Sequence, residues 1–260
     1  VYVDQVAAEK AELCFDPSHG HPLGGGGFWL EGYRRLAEQA RQAVGPEAIL
    51  TTECNWEGCS ADYDALLTWA SWSQQDIPLF PAVYGGLART FGCQFSAEDV
   101  TRGGGEVFAR KMGRLLAWGA QLGWGDLTVL LAEEHRELLA YFIALCRLRA
   151  EHVRTFACGR MLRPPRVRAA AGAEAAEAEA LLCSLWQADP AGPPTLLVVN
   201  PTRRALRAEV VLSDWPRAAL AGDGGEEVKP APPSAEGGAV LAVALPPLSA
   251  RAVAVSPAGP

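Results

Sequence analysis

The sequence predicts two architectures in succession, an α/β class followed by an all-β one. The first reads as the C-terminal part of a (β/α)8 TIM barrel and the second as an antiparallel β-sandwich. Three observations predict this. The apolar runs Val1-Tyr2-Val3 and Ala48-Ile49-Leu50-Thr51-Thr52 each stop on a carboxylate, Asp4 and Glu53, and each then opens into a polar loop, as barrel strands do at their C-terminal lip. Amphipathic helical segments alternate with these runs. Beyond Arg160 the pattern becomes short apolar runs divided by turn residues, the signature of sheet packed on sheet.

In chain order, Val1–Val3 is the first strand, and Asp4-Gln5 is its lip. A long loop follows, with Cys14-Phe15-Asp16-Pro17-Ser18-His19-Gly20-His21-Pro22 and four glycines from Gly24 to Gly27. From Phe28 to Val44 the residues Trp29, Tyr33, Leu36, Ala40 and Val44 recur every three or four positions, opposite Glu31, Arg34, Arg35, Glu38 and Arg41. That is an amphipathic helix, ended by Gly45-Pro46. Ala48–Glu53 is the second strand. Asp64–Trp69 is too short for periodicity to separate strand from helix. Ile77–Tyr84 is expected to be extended, because Pro78 and Pro81 argue against a helix interior. Glu106–Ala120 is a helix, Leu122–Leu127 a last short strand, and Glu133–Phe156 one long helix.

Pro164-Pro165 then stops the pattern, and the Ala/Glu-rich run 169–180 reads as a loop or frayed helix. Strand candidates follow at Leu181–Gln187, Thr195–Asn200, Leu206–Leu212, Ala239–Leu245 and Ser249–Val255. The expected domains are therefore 1–160, about strands four to eight of the barrel, and 161–260, the sandwich. No initiator Met or signal-like start precedes Val1. The chain reads as an excerpt whose most immediate partner is the missing N-terminal half of the same protein.

Composition narrows the classes. A net charge of −7 leaves no basic stripe for nucleic acid, and no apolar segment approaches the roughly 20 residues that span a bilayer. The seven cysteines are odd in number and scattered, without a CxxC pair. Neither a disulfide framework nor a cysteine-rich zinc site is expected. Cys14, Cys54 and Cys59 fall in loops near the lip, where one bridge among them is the minority reading.

Two acids at the ends of successive strands carry the chemistry. Glycoside hydrolysis needs two carboxyl groups flanking the scissile bond, and neighbouring strands lie about 4.8 Å apart. Asp4 is read as nucleophile and Glu53 as general acid/base, in the close spacing of retaining enzymes. Gln5, Asp16, His19, His21, Trp56, Glu57 and Tyr84 are the candidate substrate contacts, with Trp69 and Trp124 as further aromatic faces. Glu57 is the rival acid. Gly24–Gly27 lack the Gly-Lys-Ser/Thr of a phosphate loop, since Phe28-Trp29 follow. Two rival functions stand beside this one. A barrel without the chemistry would only bind carbohydrate, and a metal-dependent hydrolase would use Asp16, His19 and His21. The carbohydrate-hydrolase reading requires no cofactor or metal.

Val1-Tyr2-Val3-Asp4-Gln5, Cys14-x-Asp16-x-x-His19-x-His21-Pro22 with its glycine run, Thr52-Glu53 and Pro78-Leu79-Phe80-x-x-Val83-Tyr84-Gly85 resemble a bacterial family of uncharacterised glycoside-hydrolase-like barrels. That family is similar in turn to the endo-α-N-acetylgalactosaminidase group. The resemblance covers about residues 1–160 and implies an Asp after the fourth barrel strand as nucleophile and a Glu after the fifth as acid/base. It also implies a C-terminal sandwich, and names no particular sugar.

Overall fold

The computed structural model describes residues 1–6, 11–68, 77–214, 218–220, 227–233 and 238–257. Trp69, one of the candidate aromatic faces, lies outside them. The first half contains β1 (Tyr2–Val3), α1 (Phe28–Val44), β2 (Thr51–Glu53), β3 (Ala65–Leu67), α2 (Leu79–Tyr84), β4 (Thr90–Phe91), α3 (Ala97–Thr101), α4 (Glu106–Ala117), α5 (Arg136–Glu151) and α6 (Val153–Cys158). Strands β1 to β4 form a sheet in sequential order, every pair parallel.

Strand alternation divides this sheet into two faces. Val3, Leu50 and Leu66 face a helix-covered side, where they meet Tyr33, Ala37 and Ala40 of α1. Of the apolar stripe expected on α1, Leu36 and Val44 stay exposed instead. The other face carries Tyr2, Thr51, Glu53, Leu67 and Phe91. Beyond β4, Phe91 makes a parallel bridge to Gln121. Trp124 then lays its ring 5.1 Å from Tyr2 and 6.0 Å from Phe91. Chain beyond the last strand therefore touches the first, and the sheet is rolled.

Three local expectations are corrected. Residues 79–84 are helix α2, not extended. Pro78 is its cap and Pro81 falls in its first turn, where backbone N–H groups lack an intrahelical acceptor and proline removes nothing. The strand expected at Leu122–Leu127 does not form beyond the bridge at Gln121, because Gly123 (φ 117°) and Trp124 (φ 87°) break the extended backbone. The long helix expected over Glu133–Phe156 is split at His152 into α5 and α6. Cys14 and Cys54 are free thiols.

Arg41 of α1 ties the helix to two strand starts. It donates to the Ala48 carbonyl and, at 2.6 Å, to Asp64, which also accepts from the Leu50 N–H at 2.7 Å. Burial works against the Asp64 carboxylate, but these donors outweigh it and hold its pKa below the usual value. A carboxyl lowered on folding stabilises above its unfolded pKa of about 3.9 and ceases to as pH falls through the folded value. Asp64 is 43% exposed, so Asp64→Asn is expected to cost only about 1 kcal/mol at neutral pH. In urea titrations across pH, that difference should shrink below about pH 4.

The second half contains β5 (Arg160–Met161), β6 (Arg166–Ala169), α7 (Ala175–Ala180), β7 (Leu182–Gln187), β8 (Thr195–Asn200), β9 (Leu206–Leu212), β10 (Ala218–Leu220), β11 (Val228–Ala231), β12 (Ala239–Leu245) and β13 (Ser249–Pro257). The Ala/Glu-rich run thus ends in a short helix, which Glu174 and Glu177 cap reciprocally. One sheet has the order β10-β13-β8-β7-β5 and the other β11-β12-β9-β6, with all pairs antiparallel. Leu196 and Val198 of β8 pack with Val210 and Leu241 of the opposing sheet. Leu197 and Val199 pack with Phe108, Met112 and Leu145 of α4 and α5. A strand covered on both faces has no need of polar alternation, and every residue of β8 is buried.

Candidate active site

β1 and β2 end alike. Their register pairs Tyr2 with Thr51 and Val3 with Thr52, and the next residue along each chain is an acid, Asp4 just past β1 and Glu53 at the end of β2. The next residue in each, Gln5 (φ 58°) and Cys54 (φ 63°), is left-handed although neither is glycine. Such conformations cost on the order of 1–3 kcal/mol each and cluster where strain serves a site. Here two stand at equivalent points of adjacent strands and turn both chains aside just after the acid. Asp4 is exposed and Glu53 half-buried.

Tyr2 links the two acids. Its hydroxyl is buried and closes no hydrogen bond among the described residues. Burial pushes the phenol up most. The Glu53 carboxylate, which its hydroxyl faces, adds to the rise, and the charges of Asp4 and Cys54 contribute further. Both acids therefore act on one hydroxyl. Sequence reasoning passed over Tyr2, although the two-residue period of a strand puts it on the same face as Asp4.

The rim continues to β3. Asn55 donates to Thr68 Oγ1 at 3.2 Å, while the Asn55 Oδ1 is buried without a partner among the described residues. A buried acceptor left open is costly, and a ligand hydroxyl could supply the missing donor. Asn55 too was missed, and its signal was its place two residues beyond Glu53.

The other candidates divide into four groups. Trp56 packs edge-on against Tyr33 with ring centroids 6.0 Å apart, inside the cluster between α1 and the sheet. Glu57 accepts from the Tyr84 hydroxyl, which raises the Tyr84 pKa, and Tyr84 lies 4.8 Å from Phe80. These two candidates form one unit between the loop after β2 and α2. Asp16, His19 and His21 lie on the loop after β1. Asp16 caps the turn Pro17–His19, accepting from the Ser18 N–H at 2.8 Å and the Ser18 hydroxyl at 2.7 Å, and these bonds lower its pKa. Gln5 supplies one of the left-handed turns. A cavity of about 540 Å³ lies at the other end of the strands, against Pro46, Ile49, Thr51, Arg89 and Gln121, away from both acids.

Residues 1–95 match a protein family described as a domain of unknown function, DUF6259. A protein of Monosiga brevicollis, named provisionally as a glycoside hydrolase, is 35% identical over 133 residues, covering 49% of this chain and 11% of that protein. One of Bacteroides thetaiotaomicron, named in the same way, is 30% identical over 167 residues, covering 62% of this chain and 24% of its own length. The chain thus spans at most about a quarter of these curated relatives. In fold, the chain is similar to a maltogenic α-amylase of Thermotoga neapolitana with a TM-score of 0.53 at 12% identity, over 89% of this chain and 64% of that one. The chain is glycoside-hydrolase-like in sequence and in fold.

Proposed function

We propose that this chain is part of a glycoside hydrolase, with residues 1–160 as about strands four to eight of a (β/α)8 barrel and 161–260 as a β-sandwich domain. On this reading the first three barrel strands belong to the same protein upstream of Val1. The observation that carries it is that Asp4 and Glu53 each follow a paired residue of two parallel strands, Val3 and Thr52, with both charges acting on the Tyr2 hydroxyl. Within the glycosidases, the endo-α-N-acetylgalactosaminidase group is the expected relation.

Asp4 attacks the anomeric carbon as the leaving oxygen takes the proton of Glu53, giving a glycosyl ester and an alcohol. Glu53 then removes a proton from water, which displaces the sugar from Asp4 with net retention. Tyr2, held protonated and facing Glu53, closes on a carboxylate oxygen once substrate is bound and orients it. Gln5 and Asn55 offer polar contacts to sugar hydroxyls, with Glu57 and Tyr84 as one further unit and Trp56 as an aromatic wall.

The test is the full-length protein assayed on a panel of aryl glycosides, wild type beside Glu53→Gln. Turnover lost in the variant supports the reading. Sugar binding that survives in both proteins without any turnover overturns it in favour of a binding barrel. Tyr2→Phe removes the hydroxyl that closes on a carboxylate in the substrate complex, a hydrogen bond to a charged group worth roughly 1.5–3 kcal/mol. It is expected to lower kcat about 10- to 100-fold at nearly unchanged KM.

A further inference from the structure

The loop after β1 gathers a set of ligands that the glycosidase chemistry does not use. One ligand atom from each of Cys14, His19 and His21 lies within 4.8 Å of the other two. Cys14 Sγ is 3.2 Å from His19 Nδ1, close to the roughly 3.5 Å that Zn–S and Zn–N bonds subtend at a tetrahedral centre. The far nitrogen of each ring is engaged elsewhere. His19 Nε2 faces Asp16 Oδ2 at 3.4 Å, and His21 Nδ1 lies 2.9 Å from the Pro22 carbonyl oxygen. In the tautomers whose N–H groups are turned to these oxygens, lone pairs are left on His19 Nδ1 and His21 Nε2. Metal-bound histidines are oriented in this way, the non-ligating N–H given to a carboxylate or carbonyl.

The loop is also held ready. The Gly24 N–H donates to the Cys14 carbonyl at 2.6 Å, the Trp29 indole donates to the Glu12 carbonyl at 3.0 Å, and His21 stacks 4.1 Å from Phe28 at the start of α1. The ligands are thus anchored to a helix rather than to free loop.

We propose that Cys14 Sγ, His19 Nδ1 and His21 Nε2 bind a divalent zinc-class cation, with Asp16 as the positioning residue for His19. The set differs from the Asp16, His19 and His21 of the rival metal-dependent reading. Asp16 turns to the nitrogen of His19 away from the cluster, and Cys14, five residues before His19, takes its place. Binding exchanges the Cys14 thiol proton, released to solvent, for the Zn–S bond, while the two rings bind as neutral donors. Three protein ligands leave a position for water. The ion fixes the loop against the start of α1, and the site stands whether or not Asp4 and Glu53 hydrolyse glycosides.

The test uses the chain stripped with a chelator, desalted and titrated with zinc chloride by calorimetry, and separately with Co²⁺ by absorption. Wild type is expected to bind one Zn²⁺ per chain and to show a thiolate-to-cobalt charge-transfer band. Cys14→Ser should abolish the band, and His19→Ala should weaken Zn²⁺ binding at least about 100-fold. Asp16→Asn should weaken it roughly 10- to 100-fold. Absence of stoichiometric Zn²⁺ in wild type overturns the proposal. So does a cobalt band that persists in Cys14→Ser, which would place the ion on another cysteine. The wild-type cobalt spectrum needs no variant to fold, so the proposal remains open to refutation without one.

Discussion

Asp4→Asn is expected to lower turnover of an aryl glycoside on the order of 10⁴- to 10⁶-fold in the full-length protein, because an amide cannot form the glycosyl ester. Glu53→Gln should behave differently, and the difference assigns the roles. Proton donation is worth about 10²–10⁴ in rate, and that loss falls on leaving groups that need a proton. A dinitrophenyl glycoside departs without one, so its first step survives in Glu53→Gln. The ester on Asp4 then accumulates, since no base activates water, and a burst of phenolate precedes a slow steady state. Azide, which needs no deprotonation, should restore turnover and give a glycosyl azide of retained configuration. Azide should not restore a retained product in Asp4→Asn. A Glu53→Gln protein equal to wild type on every leaving group removes Glu53 from the chemistry, and an inverted azide adduct removes Asp4 as nucleophile.

The strands leading to Asp4 and Glu53 are legible because each acid closes an apolar run, a pattern local enough for sequence to display. Their pairing was legible only as an expectation, since it needs the parallel register of β1 on β2. The left-handed backbone at Gln5 and Cys54 had no signal, because neither residue type requires it. β4 is Thr90-Phe91, two residues between Arg89 and Gly92, too short for any period to register. α2 was misread because proline was weighed as an interior residue, when Pro81 sits in a first turn. β7, β8, β9, β12 and β13 were nearly as expected, being longer apolar runs bounded by turn residues. Short edge strands such as β5 and β6 take their conformation from partners far along the chain, and pattern alone does not show those partners. The same limit hid the zinc-class cluster. Spacing suggested Asp16, whereas the fold of the loop brings Cys14 to His19.

Trp186→Ala is expected to destabilise the chain by about 3–5 kcal/mol, the largest loss foreseen for a residue remote from the acids. Trp186 lies on β7 and is 1% exposed. Its indole N–H donates to the Ala117 carbonyl at the end of α4 and to Ser184 Oγ, each at 3.1 Å, and its ring meets Phe156 of α6 edge-on at 6.3 Å. Gly119 (φ +75°) allows this approach. A Cβ there would lie 2.7 Å from the indole and 2.5 Å from the Phe156 carbonyl oxygen, so Gly119→Ala should be costly as well. Trp186→Phe keeps most of the volume and loses the N–H, for about 1–1.5 kcal/mol. Far- and near-ultraviolet circular dichroism in urea should report one shared transition for wild type and variant alike. Leu197 and Val199 of the antiparallel sheet sit in the same core as Phe108, Met112 and Leu138 of the helices. Neither half can release its share of that core without exposing the other's. Two separated transitions, with only one moved by Trp186→Ala, would show that each half holds its own core. The parallel sheet bearing Glu53 would then owe nothing to the two antiparallel sheets, whereas a single transition means that those sheets help to hold the acids in place.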